Sequence, residues 1–190
     1  MVKELPPFES LAGKLLISAQ NDAGDFFNKS VILITEHSAE EGAVGYLLNR
    51  PMQNLVAQEV FKDRDISFLG SDFVIKNGGP VDVTHGAVLH SAEYKAIDSH
   101  TLFHNLAITE TQQILDDISN QLGPQHFVVF IGKSAWAPGQ LEEEIMGNMW
   151  IPAPYSFDLV FNVPDNKKWQ EALATLNIDA NLLANRAGKA

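Results

Sequence analysis

The apolar residues of this chain are gathered into short unbroken runs, and this limits its architecture more than any other feature. Leu15-Leu16-Ile17, Val31-Ile32-Leu33-Ile34 and Phe127-Val128-Val129-Phe130-Ile131 are each the length of a strand. None approaches the ~18 consecutive apolar residues that a membrane-spanning helix needs. An unbroken apolar run, rather than an alternating one, marks a strand covered on both faces. Gly13–Ala19, Ser30–Glu36 and Ala43–Arg50 are therefore read as buried strands. The second and third are joined as a hairpin by the polar turn His37–Gly42, and Pro51 is expected to stop the third because proline lacks a ladder donor.

Further along, Gln20–Lys29 reads as a loop or short helix, Asn54–Phe61 as a short helix and Lys62–Ser71 as a charged connector. Phe73–Lys76, Gly86–Ala92, Asn105–Ile108 and His126–Gly132 are strand candidates. Thr109-Glu110-Thr111-Gln112 matches a capping box, so a helix is expected from Thr109 to the Gly123-Pro124 stop. Pro138–Met149 suits a helix, with Leu141, Ile145 and Met149 at i, i+4 and i+8. Phe157, Leu159, Phe161 and Val163 alternate and predict a strand. Trp169, Ala172, Leu173 and Leu176 predict a helix over Asn166–Leu176, and the tail Asn185–Ala190 is expected to fray. Hairpin strands without helices between them argue against a doubly wound parallel sheet. The pattern predicts an α+β fold with a mainly antiparallel or barrel-like β-sheet and flanking helices. The chain, 1–190, reads as one compact domain with a core of about 13–176.

With 24 acidic and 13 basic side chains the formal net charge is −11, and there is no cysteine. The absence of cysteine excludes disulfides, thiolate metal sites and a cysteine nucleophile. The acidic balance disfavours direct contact with nucleic acid, whose affinity rests on basic side chains releasing counterions from phosphates. The opening MVKELPPFES has no apolar h-region, so the expected compartment is the cytoplasm, with no membrane association.

Several groupings bear on chemistry. Ser134 in Gly132-Lys133-Ser134-Ala135-Trp136 follows a strand, as a nucleophile elbow does, but Trp136 occupies the place where glycine is needed. Glu142, Glu143 and Glu144 lie in the first turns of a helix, where carboxylates complement the helix dipole. The helical step puts Gln140 and Glu144 on one face and points Glu142 elsewhere. His85 and His90 are five apart and cannot chelate together from one strand. His100 and His104 sit in SHTLFHN, which has no clear period. No ligand set has recognisable metal spacing, so no metal, cofactor or catalytic residue is assigned. Asn77-Gly78-Gly79-Pro80 is a turn by composition. Arg50 could hold an anion bidentately or pair with an acidic neighbour.

The order and spacing of several short motifs resemble the AlgH/YqgE family (UPF0301, DUF179). They are Gly13-Lys14-Leu15-Leu16-Ile17, Phe27, Ser30-Val31-Ile32-Leu33, Glu36-His37, Gly42-Ala43-Val44-Gly45 and Asn49-Arg50-Pro51. They continue with Gly78-Gly79-Pro80-Val81, Leu89-His90, Trp136, Gly139-Gln140-Leu141-Glu142, Glu144-Ile145, Asn148 and Trp150. Gln20 stands where the family usually has proline, and Lys133, Ala135 and Ala137 where it tends to have an aromatic and two glycines. The resemblance implies a bacterial cytosolic α+β domain, labelled a transcriptional regulator through a link to alginate expression. It carries over neither catalytic residues nor a cofactor.

The expected function is a non-enzymatic regulatory module that binds a protein or small-molecule ligand. Its cleft is expected to be lined by Asn49, Arg50, Gly79, His90, Trp136, Gly139, Gln140 and Glu144, because polar residues at strand ends and turns are where sites gather. The alternative is a hydrolase-like enzyme using Glu36, His37 or His90 as acid or base.

Overall fold

The computed structural model describes residues 8–19, 25–56 and 73–184. Ten strands form one curled sheet: β1 (Leu15–Ser18), β2 (Val31–Ser38), β3 (Gly42–Leu47), β4 (Pro51–Val56), β5 (Val74–Asn77), β6 (Val81–Ser91), β7 (His100–Phe103), β8 (Leu106–Thr109), β9 (Phe127–Trp136) and β10 (Trp150–Ala153). Among the described residues five helices accompany them: α1 (Gln112–Ser119), α2 (Gln140–Met146), α3 (Phe157–Phe161), α4 (Asp165–Ala174) and α5 (Ala180–Ala184). The strands run in the order β10-β1-β2-β3-β9-β6-β8-β7, with β5 pairing β9 and β4. Among the described strands only the β5–β9 pair is parallel. The fold is α+β with a mainly antiparallel, half-barrel sheet, as the runs of apolar residues predict.

The unbroken runs are buried on both faces because the sheet has a layer on each side. Leu15, Ile17, Val31, Leu33, Val128 and Phe130 face a core closed by Leu159 and Val160 of α3 and Trp169, Ala172 and Leu173 of α4. Their neighbours Leu16, Ile32 and Ile34 point the other way, to Leu141 of α2 and the indoles of Trp136 and Trp150. Farther along the same sheet, Ile75, Val88 and Val129 meet Ile114 and Leu115 of α1.

β9 belongs to two neighbourhoods. Val129–Ile131 pair with β5 and Phe127–Ile131 with β6, whereas Ser134–Trp136 pair with β3. Between them Gly132 takes φ +74°, and the loop Asn77–Pro80 crosses against the strand at this point. A Cβ on Gly78 would lie 2.2 Å from the Gly132 carbonyl oxygen, and one on Gly79 would lie 2.3 Å from that of Lys133. Only glycine allows two backbones this close. The crossing is hydrogen-bonded: Gly78 N donates to Ile131 O, and Gly78 O accepts from Leu47 N and from Ser134 Oγ.

Four expectations are corrected. Phe157–Val163 is not a strand. Ser156 Oγ accepts from Leu159 N and starts α3, and the rings of Phe157 and Phe161 meet at i, i+4, tilted by 50° with centroids 4.6 Å apart. The alternating phenylalanines fit either period. Thr109 does not cap α1: it ends β8, fully buried opposite Val88, and the helix begins at Gln112 after Thr111. Pro51 does not end the third strand; β3 stops at Leu47, and Pro51 opens β4, where a missing N–H is tolerated. Asn54–Val56, expected to be helical, lie in β4, and the rest of that expected helix and the connector lie outside the described residues, as does the tail 185–190. The strands β7 and β10 were not anticipated.

The short helix α3 depends on a buried lysine. Lys168 Nζ donates to the carbonyls of Leu159 (2.8 Å), Val160 (3.1 Å) and Val163 (2.6 Å), which the helix end leaves without partners. Burial, reinforced by the nearby Lys76 ammonium, lowers its pKa to about 8. At neutral pH it is still an ammonium, with three donors for three acceptors. Lys168→Met leaves those carbonyls unpaired and is expected to destabilise the fold by about 2–4 kcal/mol. The folded pKa lies below the unfolded value, so the unfolded chain holds this proton to higher pH. This group therefore makes the wild type more stable as pH rises from about 8 to about 10. Urea unfolding of both proteins across that window should show the stability gap widening; a constant gap would mean that Lys168 titrates normally.

Candidate functional site

Two strand ends and a helix build the centre of the site. β9 ends at Trp136, opposite Ala43 of β3. Gly139 then takes φ +79°, and no heavy atom crowds its Cβ position, so the turn conformation itself is what calls for glycine there. Gln140 Oε1 accepts from Ala137 N at 3.0 Å and closes the turn. α2 follows, and β10 begins at Trp150, opposite Ser18 of β1. The helix thus spans the gap between two tryptophans on separate strands.

Glu144 ties them together. Its Oε2 accepts from the Trp136 indole N–H at 2.8 Å and from the Trp150 indole N–H at 2.7 Å. Its Oε1 accepts from Gln140 Nε2 at 2.9 Å, so Gln140 and Glu144 share a helix face as their spacing predicts. The charge is balanced by three N–H dipoles, the strong class of hydrogen bond with an ionised acceptor. The two indoles meet edge to face at 6.0 Å, and Phe27 packs edge-on against Trp150 at 5.5 Å. Glu142 points away, as expected, and its Oε1 lies 3.1 Å from His37 Nε2. His37 Nδ1 accepts from Leu11 N, which places the ring proton on Nε2, facing that carboxylate.

Beside this network lies a cleft of about 240 Å³, lined by Trp136, Gln140, Glu144 and Trp150 together with Ser18, Asp25, Phe27, Pro80, Ser134, Ala135 and Met149. Met149 and Phe26 are exposed near its rim, and Met146 lies exposed at the end of α2. Asn49 and Arg50 line a second cleft, of about 520 Å³, with Lys29, Pro51, Asp165, Asn166, Trp169 and Gln170. The segment Asp25–Ser30 separates the two: Phe27 faces the first and Lys29 the second. Asn49 holds this segment by accepting from Val31 N and donating to Lys29 O. Arg50 Nη2 donates to the carbonyls of Phe26 and Asn28.

The eight expected residues thus divide. Trp136, Gln140 and Glu144 converge, and Gly139 shapes their turn. Gly79 sits in the backbone crossing, next to the cleft residue Pro80. Asn49 and Arg50 stand across the shared segment. His90 is placed apart from both clefts and is fully buried, its ring held by Thr109 Oγ1 at 2.9 Å and Ser91 O at 3.0 Å. Burial holds its pKa below the ordinary histidine range. Ser134 lies inside β9 rather than on an elbow, with its hydroxyl donated to Gly78 O. Among the described residues, no three histidine, aspartate or glutamate side chains are grouped to hold a metal. Sequence reasoning missed Phe27, Met149 and Pro80 as wall residues. Phe27 and Pro80 carried a signal, as members of the motifs named above, and Met149 carried none.

Glu144→Leu removes the acceptor shared by two indoles and an amide, and is expected to cost about 3 kcal/mol. For a chain of this size that is a fall of roughly 6–12 °C in Tm. Glu144→Gln keeps an acceptor oxygen and should cost less than half as much. Equal Tm values for the two variants in thermal unfolding would show that the network contributes packing alone.

The AlgH-like family model matches residues 15–181. The UPF0301 protein mlr7511 of Mesorhizobium japonicum is 37% identical over 188 residues, covering 95% of this chain and 93% of that protein. The UPF0301 protein SPO0296 of Ruegeria pomeroyi is 38% identical over 183 residues, covering 95% and 99%. Among solved structures, the solution structure of the AlgH protein from Pseudomonas aeruginosa superposes with a TM-score of 0.77 at 29% identity, covering all of both chains. The crystal structure of protein DIP2367 from Corynebacterium diphtheriae shares the fold, with a TM-score of 0.68 at 21% identity over 90% of each chain. With the sheet order, the tryptophan clamp and these matches together, the chain belongs to the AlgH-like (UPF0301) family.

Proposed function

We propose that this chain is a single-domain, cytoplasmic, non-enzymatic binding module with a regulatory role. It receives an apolar group of a partner protein or small molecule in the cleft between Phe27, Trp136, Trp150 and Met149. The observation that carries this reading is that the polar side-chain atoms at the centre of the cleft, on Trp136, Gln140, Glu144, Trp150 and Ser134, are already held in hydrogen bonds, while Asp25 at its exposed edge accepts from Phe27 N. Both Glu144 oxygens hold N–H donors, Gln140 is used at both ends, and the Ser134 proton goes to a backbone carbonyl. A general base or nucleophile needs a side chain within reach of a substrate proton or carbon. Here the network presents instead a fixed aromatic wall with an apolar rim, the composition of a recognition pocket. The acid–base alternative draws no support from the histidines, since His90 is enclosed and His37 is held between Leu11 N and Glu142. Regulation through a partner also agrees with a charge of −11, which opposes docking on a phosphate backbone. No helix among the described residues is long and apolar enough to cross a membrane.

The indole N–H groups offer a direct test. In a ¹H–¹⁵N titration with a library of aromatic fragments, binders should shift the side-chain resonances of Trp136 and Trp150 and leave that of Trp169, bonded to Ser18 O, in place. Fragments that act only elsewhere, or a hydrolytic activity abolished by Glu144→Gln, would overturn the reading. Duplex DNA at low salt is expected to give no mobility shift; a salt-dependent shift would support direct regulation of DNA instead.

A further inference from the structure

The second cleft differs in chemistry from the first. Its lining carries two cations, Arg50 and Lys29, and one carboxylate, Asp165. That carboxylate is already neutralised from behind. Lys76 Nζ lies 2.5 Å from Asp165 Oδ1 and Lys168 Nζ 3.9 Å from it, and both lysines are buried. Four of the chain's 13 basic side chains therefore line or underlie this cleft, against Asp165 in its wall and Asp158 near Lys168, in a molecule whose overall charge is −11. The cations are not paired off: among the described residues, Arg50 meets only the Phe26 and Asn28 carbonyls, through Nη2, and Lys29 Nζ only the face of Trp169, at 5.7 Å. Those carbonyls fix the guanidinium while leaving Nε and Nη1 for another acceptor. The first turn of α4, with Asp165 and Asn166, opens into the same space.

We propose that this cleft binds the phosphate group of a small phosphomonoester. The anion would lie between Arg50 and Lys29, where a remaining guanidinium N–H and the ammonium can each donate to a phosphate oxygen. A volume of about 520 Å³ exceeds what a bare anion fills, and Asn166 and Gln170 on the wall offer donors and acceptors to hydroxyl groups of the esterified part. A nucleic acid fits less well, because a backbone needs a track of cations and the charge outside this pocket repels it. The proposal does not depend on the aromatic cleft.

The test is a ¹H–¹⁵N titration of the whole chain at low ionic strength with inorganic phosphate, ribose 5-phosphate and ribose, against chloride at matched ionic strength. Saturable shifts are expected at Lys29, Arg50, Asp165 and Asn166, with ribose 5-phosphate binding at least tenfold more tightly than phosphate and ribose not binding. Arg50→Gln and the exposed Lys29→Gln should each weaken ribose 5-phosphate at least fivefold; Lys29→Gln touches no structural hydrogen bond and guards against misfolding. Shifts reproduced by chloride, affinities unchanged in Lys29→Gln, or an ester no tighter than phosphate would overturn the proposal. Displacement of ribose 5-phosphate by a short duplex at lower concentration would overturn it in favour of nucleic acid. Perturbation confined to Trp136 and Trp150 would overturn it while leaving the aromatic cleft intact.

Discussion

The fold is organised by one close approach of backbone to backbone, where the loop Asn77–Pro80 crosses β9 at Gly132. Because no Cβ stands between them, β9 can pair with β5 and β6 along its first half and with β3 along its second. The positive φ of Gly132 turns the strand as it changes neighbours. This lets a single strand curl the sheet, and the curl leaves two cores on one face and one on the other. It also sets the direction in which β9 leaves the sheet, and so where Trp136 arrives. A side chain at Gly78 would separate the strands that place the indole, although it lies far from the indole in sequence.

Glu144 then converts a strand end into a rigid wall. A lone carboxylate beside two aromatic rings would face a heavy desolvation cost, but three N–H donors reach it within 3 Å. Lys168 solves the opposite problem at the far side of the sheet, where a buried ammonium is met by three carbonyls of a helix end. In both cases a charge, half-buried on Glu144 and fully buried on Lys168, is satisfied by dipoles rather than by a counter-ion alone, and the local chain is stapled as a result. Asp165 joins this arrangement by anchoring α4 to Lys76 on β5, across 89 residues of sequence.

How much of this was legible depends on the range of the forces involved. The apolar runs identified β1, β2 and β9 because burial on two faces leaves a local imprint. The i, i+4 spacing of Gln140 and Glu144 put them on one helix face for the same reason, but their bonds to the two indoles emerge only from the tertiary structure. Local patterns misled where two periods coincide: Phe157 and Phe161 are two steps of two or one step of four, and a serine cap decided for helix. Thr109 looked like a cap by composition, but pairing with β6 claimed its backbone and His90 its hydroxyl. β10 is only four residues long and contains Pro152, so its strand character comes from β1 alone. The lysines left no trace at all, since a single lysine in a helix or strand has no period and its partners are distant. Arg50 and Asn49 were visible as a polar strand end, but which segment they brace emerges only from the tertiary structure.

That segment, Asp25–Ser30, is a partition with a cleft on either side. Phe27 and Lys29 are two residues apart and look into different spaces, so displacing one carries the other with it. An occupant of the first cleft that shifts this common wall would change the affinity of the second. Whatever factor the first contributes to the affinity of the second, the second must return to the first.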